Sequence, residues 1–386
     1  MIITKEERQY HEKFMQMAIA EAKQALGCTT PNPLVGAVIV KDDKVIGKGY
    51  HHMAGTPHAE IHALQEAGEA ANGATIYVTL EPCCHHGRTG PCTEAIIAAG
   101  IRRVVVAITD PNPLVAGHGI DRLRQAGIEV LEGICCLDAV KVNEAFVKWV
   151  STKMPFVLLK TAMTLDGKIA TATGQSQWIT GPAARQTVHR LRNQYDGILV
   201  GIGTVLADDP LLTTRLPEGP GCNPTRIILD SKARTPLDAK VVTNKEARTI
   251  IAVTKSASMD KVKALEAAGV TVWTISEGPS GLNLRELFSR LASYPVTSIL
   301  VEGGAAVNAS VLAENLADKV AWFVAPKILG GKTAPSPIGG SGVASLSQAY
   351  ELEDLAIEQL EEDILISAYL KSREGRDVYR TCGRIG

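Results

Sequence analysis

Between His58 and Cys92 lies the stretch that most restricts what this chain can become. It holds His58-Ala59-Glu60, then Glu81-Pro82-Cys83, then Gly90-Pro91-Cys92. One imidazole and two thiolates can fill three positions of a tetrahedral zinc site and leave the fourth for water. A carboxylate two residues after the histidine has the chemistry to move protons at that water. Both halves of the pattern sit where strand or loop gives way to a helix. Helix N-termini present partial positive charge and free N–H groups, which favours thiolate over thiol and lets His58 and Glu60 both reach a site off the first turn.

A His-x-Glu followed by Pro-Cys is the signature of zinc nucleobase deaminases, whose second half is normally Cys-x-x-Cys. Here eight residues, Cys84 to Pro91, separate the two cysteines. A polar, Gly-containing loop of that length can bulge out while both thiolates return to one metal. Two other readings stay open. A closed structural zinc would need a fourth ligand, which Cys84, His85 or His62 can supply; the cysteines can also be buried without metal. The His58/His62 spacing resembles a helical metal pair but lacks the His-Glu-x-x-His order of zinc proteases. Of the eight cysteines, the rest carry no ligand spacing. Without an export signal, metal or free thiols is the expectation rather than a disulfide framework.

At 386 residues the chain exceeds one typical core, and two domains are expected, 1–150 and 151–371, with 372–386 as a flexible tail. The formal net charge of −1 and 4% aromatic content argue against a tRNA or DNA base deaminase, which needs a basic stripe and stacking platforms. No stretch approaches membrane-spanning length and residues 1–26 lack an apolar signal core, so the cytoplasm is the default location.

An amphipathic helix is expected over 7–25, ended by Thr29-Thr30-Pro31-Asn32-Pro33, then a hairpin of Val35–Val40 with Val45–Tyr50. The His58 helix, strand Ala74–Leu80, helix Cys92–Ala99, strand Arg103–Ile108, helix Gly119–Ala126 and strand Ile128–Gly133 follow. Residues 137–155 hold a helix and the boundary segment. The second half has strands near 156–163, 197–200, 225–229, 249–253, 270–275, 298–301, 319–325 and 363–371, alternating with helices at 182–193, 259–267, 284–291 and 305–314. Strands separated by helices mean α/β layers.

In the first half, Asn32, His51, His85 and Arg88 adjoin the metal pattern and can hold a small polar heterocycle; Asp110 and Asn112 follow a strand end. In the second, Val200-Gly201-Ile202-Gly203-Thr204-Val205 and Val301-Glu302-Gly303-Gly304-Ala305-Ala306 are strand-to-turn segments open to a phosphate. Neither meets the full Gly-x-Gly-x-x-Gly fingerprint. Arg192 and Arg215 suit a phosphate by their bidentate geometry. A tight turn and surface ion pairs are the alternatives.

Thr30-Pro31-Asn32-Pro33-Leu34-Val35-Gly36, Gly49-Tyr50-His51, His58-Ala59-Glu60, Thr79-Leu80-Glu81-Pro82-Cys83 with the long gap to Cys92, and Asp110-Pro111-Asn112-Pro113 together resemble one family. It is the bifunctional pyrimidine deaminase/reductase of bacterial riboflavin biosynthesis, in which the eight-residue gap is normal; Cys84 stands where Ser is common. Leu159 to Ala170, Ser176-Gln177-Trp178-Ile179-Thr180, Gly203 to Pro210 and Glu302-Gly303-Gly304 resemble its reductase half.

The resemblance implies a cytidine-deaminase-like α/β/α domain followed by a dihydrofolate-reductase-like α/β domain. It implies zinc on His58, Cys83 and Cys92 with Glu60 as proton donor and acceptor, and a phosphoribosylaminopyrimidine substrate, to which Asn32, His51, His85 and Arg88 of the adjoining loops could donate. For the reductase it implies NADPH lined by Ala162, Trp178, Thr204, Asp208, Ser231, Gly304, Ala305 and Ala306. Lys160, Ser176, Arg192, Leu212, Arg215 and Glu302 would hold the substrate, whose ribosyl group is reduced to ribityl. A homo-oligomer is also implied. The competing reading keeps the deaminase and gives the second domain nucleotide binding without catalysis.

Overall fold

Alternating apolar strands and amphipathic helices build two separate compact units, divided between Lys153 and Met154. The computed structural model describes residues 3–85, 90–112, 115–219, 221–279 and 281–371; the tail expected at 372–386 lies outside them. The first unit contains helices α1 (Lys5–Ala22), α2 (Ala59–Ala67), α3 (Cys92–Ala98), α4 (His118–Gln125), α5 (Cys136–Val142) and α6 (Glu144–Thr152). Its strands are β1 (Gly36–Lys41), β2 (Lys44–Tyr50), β3 (Thr75–Leu80), β4 (Arg103–Ile108) and β5 (Glu129–Glu132).

These strands form one sheet in the order β2-β1-β3-β4-β5. Because side chains alternate across a strand, Ala37, Ile39, Ile76, Val78, Val104 and Val106 enter one core with α2. Val38, Val40, Tyr77, Val105 and Ala107 enter the other with α1. Burial on both faces is why these strands read as unbroken apolar runs.

Helix was expected through 137–150, yet α5 stops at Val142 and α6 starts at Glu144. The break is tertiary. Buried Asn143 accepts from the Leu34 N–H at 2.8 Å and donates to its carbonyl at 2.9 Å, which fixes a residue that a continuous helix would carry elsewhere.

The second unit holds β6 (Phe156–Thr164), β7 (Gly197–Gly201), β8 (Thr225–Leu229), β9 (Thr249–Val253) and β10 (Thr271–Thr274). A small hairpin, β11 (Glu277–Gly278) with β12 (Gly281–Leu282), precedes β13 (Ser298–Val301), β14 (Lys319–Ala325), β15 (Leu352–Leu360) and β16 (Asp363–Leu370). Its helices are α7 (Pro182–Gln194), α8 (Ile202–Asp208), α9 (Lys240–Thr243), α10 (Met259–Ala267), α11 (Leu284–Ser293) and α12 (Ala305–Ala313).

Nine strands make one sheet in the order β10-β9-β8-β7-β13-β6-β14-β16-β15. From β7 the chain steps outward through β8, β9 and β10, then returns on the other side at β13. That reversal leaves a crevice at the carboxyl ends of β7 and β13, the place where open α/β sheets bind ligands. Both glycine-containing turns open there.

Candidate active sites

In the first unit His58 is the N-cap of α2, and Cys92 is the first residue of α3 after Pro91. Cys83 lies just beyond β3, and its Sγ accepts from the Cys92 N–H at 3.4 Å. His58 Nδ1 is 3.2 Å from Cys92 Sγ and 3.5 Å from Cys83 Sγ. Among the described residues these three form a group able to hold a metal ion. Hydrogen bonds from Cys92 and His58 draw the Cys83 thiol down to about 4, while Cys92 is pushed up by its bond to Cys83 and by burial. Two adjacent sulfurs that cannot both ionise alone are the donor set a divalent cation satisfies, and zinc fits it.

Glu60, in the first turn of α2, is 3% exposed, and its Oε2 has no hydrogen-bond partner. Burial, and next the Cys83 sulfur, push this carboxyl up to about 7. A carboxyl poised there, beside three ligands, can both take and give a proton near neutrality.

Asn32 and His51 meet beside the metal group. Asn32 Nδ2 is 3.0 Å from His51 Nε2, His51 Nδ1 is 3.2 Å from the Pro57 carbonyl, and the ring lies edge-on to His58 at 5.3 Å. An amide nitrogen can only donate, so His51 is neutral with its proton on Nδ1; burial foremost holds its pKa down. His85 is exposed, and Asp110 lies within electrostatic reach of His85 and Cys83. Arg88 lies outside the described residues.

Glu81 does structural work that the sequence did not signal. Buried at 4% exposure, it accepts from the N–H groups of Asp110, Gly117, Gly119 and Ile120 at 2.8–3.2 Å. That ties the segment leading into Cys83 to the loop after β4. Cys28, Cys83, Cys84, Cys92, Cys135 and Cys222 carry reduced thiols.

In the second unit a cavity of about 1550 Å³ opens at the β7/β13 crevice. Ala162, Trp178, Thr204, Asp208, Ser231, Gly304, Ala305 and Ala306 all line it, as do Lys160, Ser176, Arg192, Leu212, Arg215 and Glu302. Glu302 holds Arg192 bidentately, with Oε1 2.7 Å from Nε and Oε2 3.0 Å from Nη2, and Lys160 Nζ lies 3.6 Å away. Burial alone would raise the Glu302 carboxyl, but Arg192 and then Lys160 bring it down to about 2. Burial pulls Lys160 below the usual ammonium range despite Glu302.

The bidentate edge of Arg192 is thus occupied within the protein, and its Nη1 also donates to the Thr213 carbonyl at 3.3 Å. Trp178, 64% exposed, carries the Arg185 guanidinium 4.8 Å above its ring. Ser176 Oγ donates to Asp208 at 3.4 Å.

The glycines divide into two kinds. A Cβ on Gly201 or Gly303 would meet Val307 at 2.9 or 2.6 Å, so packing of α12 forbids one. Gly203 and Gly304 have nothing within 4 Å on that side, and both face the cavity. That space is a cradle a side chain would fill, and it fits a dinucleotide lying along the backbone. His189, one turn before Arg192, also lines the cavity; its lack of any motif kept it out of the sequence reading.

Two family models match. Residues 8–108 match the cytidine and deoxycytidylate deaminase zinc-binding region, and 155–366 match the RibD C-terminal domain. Riboflavin biosynthesis protein RibD of Actinobacillus pleuropneumoniae is 47% identical over 354 residues, covering 92% of this chain and 93% of that protein. That of Bacillus amyloliquefaciens is 44% identical over 96% of this chain and 99% of that protein. The solved structure of Acinetobacter baumannii RibD superposes with a TM-score of 0.85 at 42% identity, covering 95% of this chain and all (100%) of that one. A diaminohydroxyphosphoribosylaminopyrimidine deaminase/5-amino-6-(5-phosphoribosylamino)uracil reductase from Thermotoga maritima gives 0.83 at 38% identity, with 95% and 100% covered.

Proposed function

This chain belongs to the RibD family of bifunctional riboflavin-biosynthesis enzymes, and from that premise we propose how its residues divide the work. It is a zinc-dependent deaminase and an NADPH-dependent reductase, with a cytidine-deaminase-like domain followed by a dihydrofolate-reductase-like one. The deaminase converts 2,5-diamino-6-(5-phosphoribosylamino)pyrimidin-4-one to 5-amino-6-(5-phosphoribosylamino)uracil. The reductase turns the ribosyl group of that product into ribityl.

His58, Cys83 and Cys92 would hold zinc, which would supply a Lewis acid to acidify a water. Glu60 takes one proton from the attacking water at Oε2 and passes it to the ring nitrogen, then carries the remaining hydroxyl proton of the adduct to the amine, which departs as ammonia. His51, fixed by Pro57, orients Asn32 so that the remaining amide atoms face the pyrimidine; His85 and Arg88 complete its binding. The observation that carries this reading is the buried, unpartnered Oε2 of Glu60 beside three convergent ligands.

NADPH supplies a hydride when bound in the second cavity, held by Ala162, Trp178, Thr204, Asp208, Ser231 and the turn Gly304-Ala305-Ala306. Glu302 fixes Arg192 and Lys160 against the substrate's ribose end, Ser176 and Leu212 border it, and the exposed Arg215 is the freer partner for its 5′-phosphate.

We place the enzyme in the cytoplasm, where Cys83 and Cys92 stay reduced for metal; among the described residues no helix is long and apolar enough to cross a membrane. A homo-oligomer is supported by edge strand β15, which exposes Leu355 at 60% and Ile357 at 66%; light scattering on the eluting protein reads it. The deciding experiment is Glu60→Gln. Ammonia release should fall by about 10²–10⁴-fold with one zinc per chain and NADPH oxidation retained. Unchanged ammonia release would remove Glu60 from the reaction.

A further inference from the structure

We infer that His189 is a positioning residue that fixes the Arg215 guanidinium at the reductase cavity, where it meets the substrate's 5′-phosphate. The inference rests on the reading of that cavity given above. His189 and Arg192 lie three residues apart on α7 and so share a helix face, and both line the cavity with Arg215. His189 Nε2 lies 3.3 Å from Arg215 Nη2. A guanidinium has no acceptor, so Nε2 must accept and the imidazole must be neutral with its proton on Nδ1. Its Nδ1 is closed to solvent beside the Thr213 backbone, without a well-formed hydrogen bond.

The surroundings keep that form. Burial, then the Arg192 and Arg215 charges, hold His189 down to about 4, against a small opposing pull from Glu302. The imidazole is therefore an acceptor, not a third cation, at neutral pH.

Arg215 needs such a partner more than Arg192 does. Arg192 is locked by both Glu302 oxygens and by the Thr213 carbonyl, whereas Arg215 is exposed. A long exposed side chain loses much rotamer freedom when it binds an anion. One hydrogen bond to a half-buried imidazole removes part of that loss in advance and leaves the other N–H groups for the phosphate. Thr213, whose carbonyl holds Arg192, also backs His189, so the two arginines are set relative to one another through one short segment.

The test uses the full-length, zinc-loaded enzyme with His189→Leu, His189→Gln, Arg215→Leu and the His189→Leu/Arg215→Leu double variant. The readouts are kcat and KM for NADPH oxidation with 5-amino-6-(5-phosphoribosylamino)uracil, and inhibition by ribose 5-phosphate against ribose. NADPH binding and ammonia release serve as folding controls, with His189→Met replacing Leu if either control fails. His189→Leu should raise KM and weaken ribose 5-phosphate about tenfold, the size of one hydrogen bond to a charged group, with kcat within about twofold and ribose unaffected. His189→Gln, which keeps an acceptor, should recover most of the loss, and in the Arg215→Leu background His189→Leu should add nothing.

Losses that multiply in the double variant, a Gln variant as poor as Leu, or a fall in kcat with KM unchanged would each overturn the inference. If Arg215→Leu itself leaves ribose 5-phosphate inhibition intact, the phosphate reading of the cavity fails first, and the role of His189 with it.

Discussion

Glu60 and Glu302 are both buried carboxyls, and their neighbours drive them in opposite directions. Glu60 has an unpartnered oxygen and sulfur neighbours, so it sits near 7, where proton transfer is easy. Glu302 has Arg192 and Lys160, so it sits near 2 and stays a fixed anion. Its folded value lies below the 4.5 of a free glutamate, so the stability it lends is fully present above about pH 4.5 and lost as pH falls toward 2. Glu302→Gln should therefore flatten that acid limb. At pH 7 it should also destabilise the reductase unit by about 3–5 kcal/mol, because two cations remain buried without their anion. Thermal unfolding followed at both pH values checks this; a variant as stable as wild type at pH 7 would show that the cluster is hydrated rather than buried.

At the scale of elements, the two strand-to-helix turns show how one residue type answers two demands. Gly303 is required by α12, since a Cβ would press on Val307, whereas Gly304 is free of protein neighbours and has an ordinary extended backbone, φ −76° and ψ −179°. Gly303→Ala should cost about 1–3 kcal/mol of stability through overpacking. Gly304→Ala should leave the melting temperature nearly unchanged while weakening NADPH binding about tenfold, as a methyl occupies cofactor space. Titration of intrinsic fluorescence, with Trp178 at the cavity, separates the two; equal effects on stability would refute the distinction. The same scale explains what the sequence concealed. β15 buries neither face, with every residue from Leu352 to Gln359 exposed, and it is a strand only because β16 pairs with it.

For the whole molecule, His58, Cys83 and Cys92, the group able to hold zinc, belong to one unit and the residues lining the reductase cavity to the other. Stripping zinc with a chelator should abolish ammonia release and leave NADPH oxidation of supplied 5-amino-6-(5-phosphoribosylamino)uracil within about twofold, with recovery on adding zinc. Loss of both activities together would mean that metal also supports the reductase. The sequence by itself determined the α/β class, because two-sided burial leaves strands such as Val104–Ile108 continuously apolar. It also pointed to His58, Cys83 and Cys92 as a metal set, because few residue types bind zinc, and the fold brings those three within reach of one ion. Only the tertiary structure decided where α5 ends, since Asn143 answers to Leu34, 109 residues away. Only it separated Gly303 from Gly304, and only it brought His189 to Arg215. Those roles depend on what stands opposite a side chain in space, and a linear pattern records nothing of that.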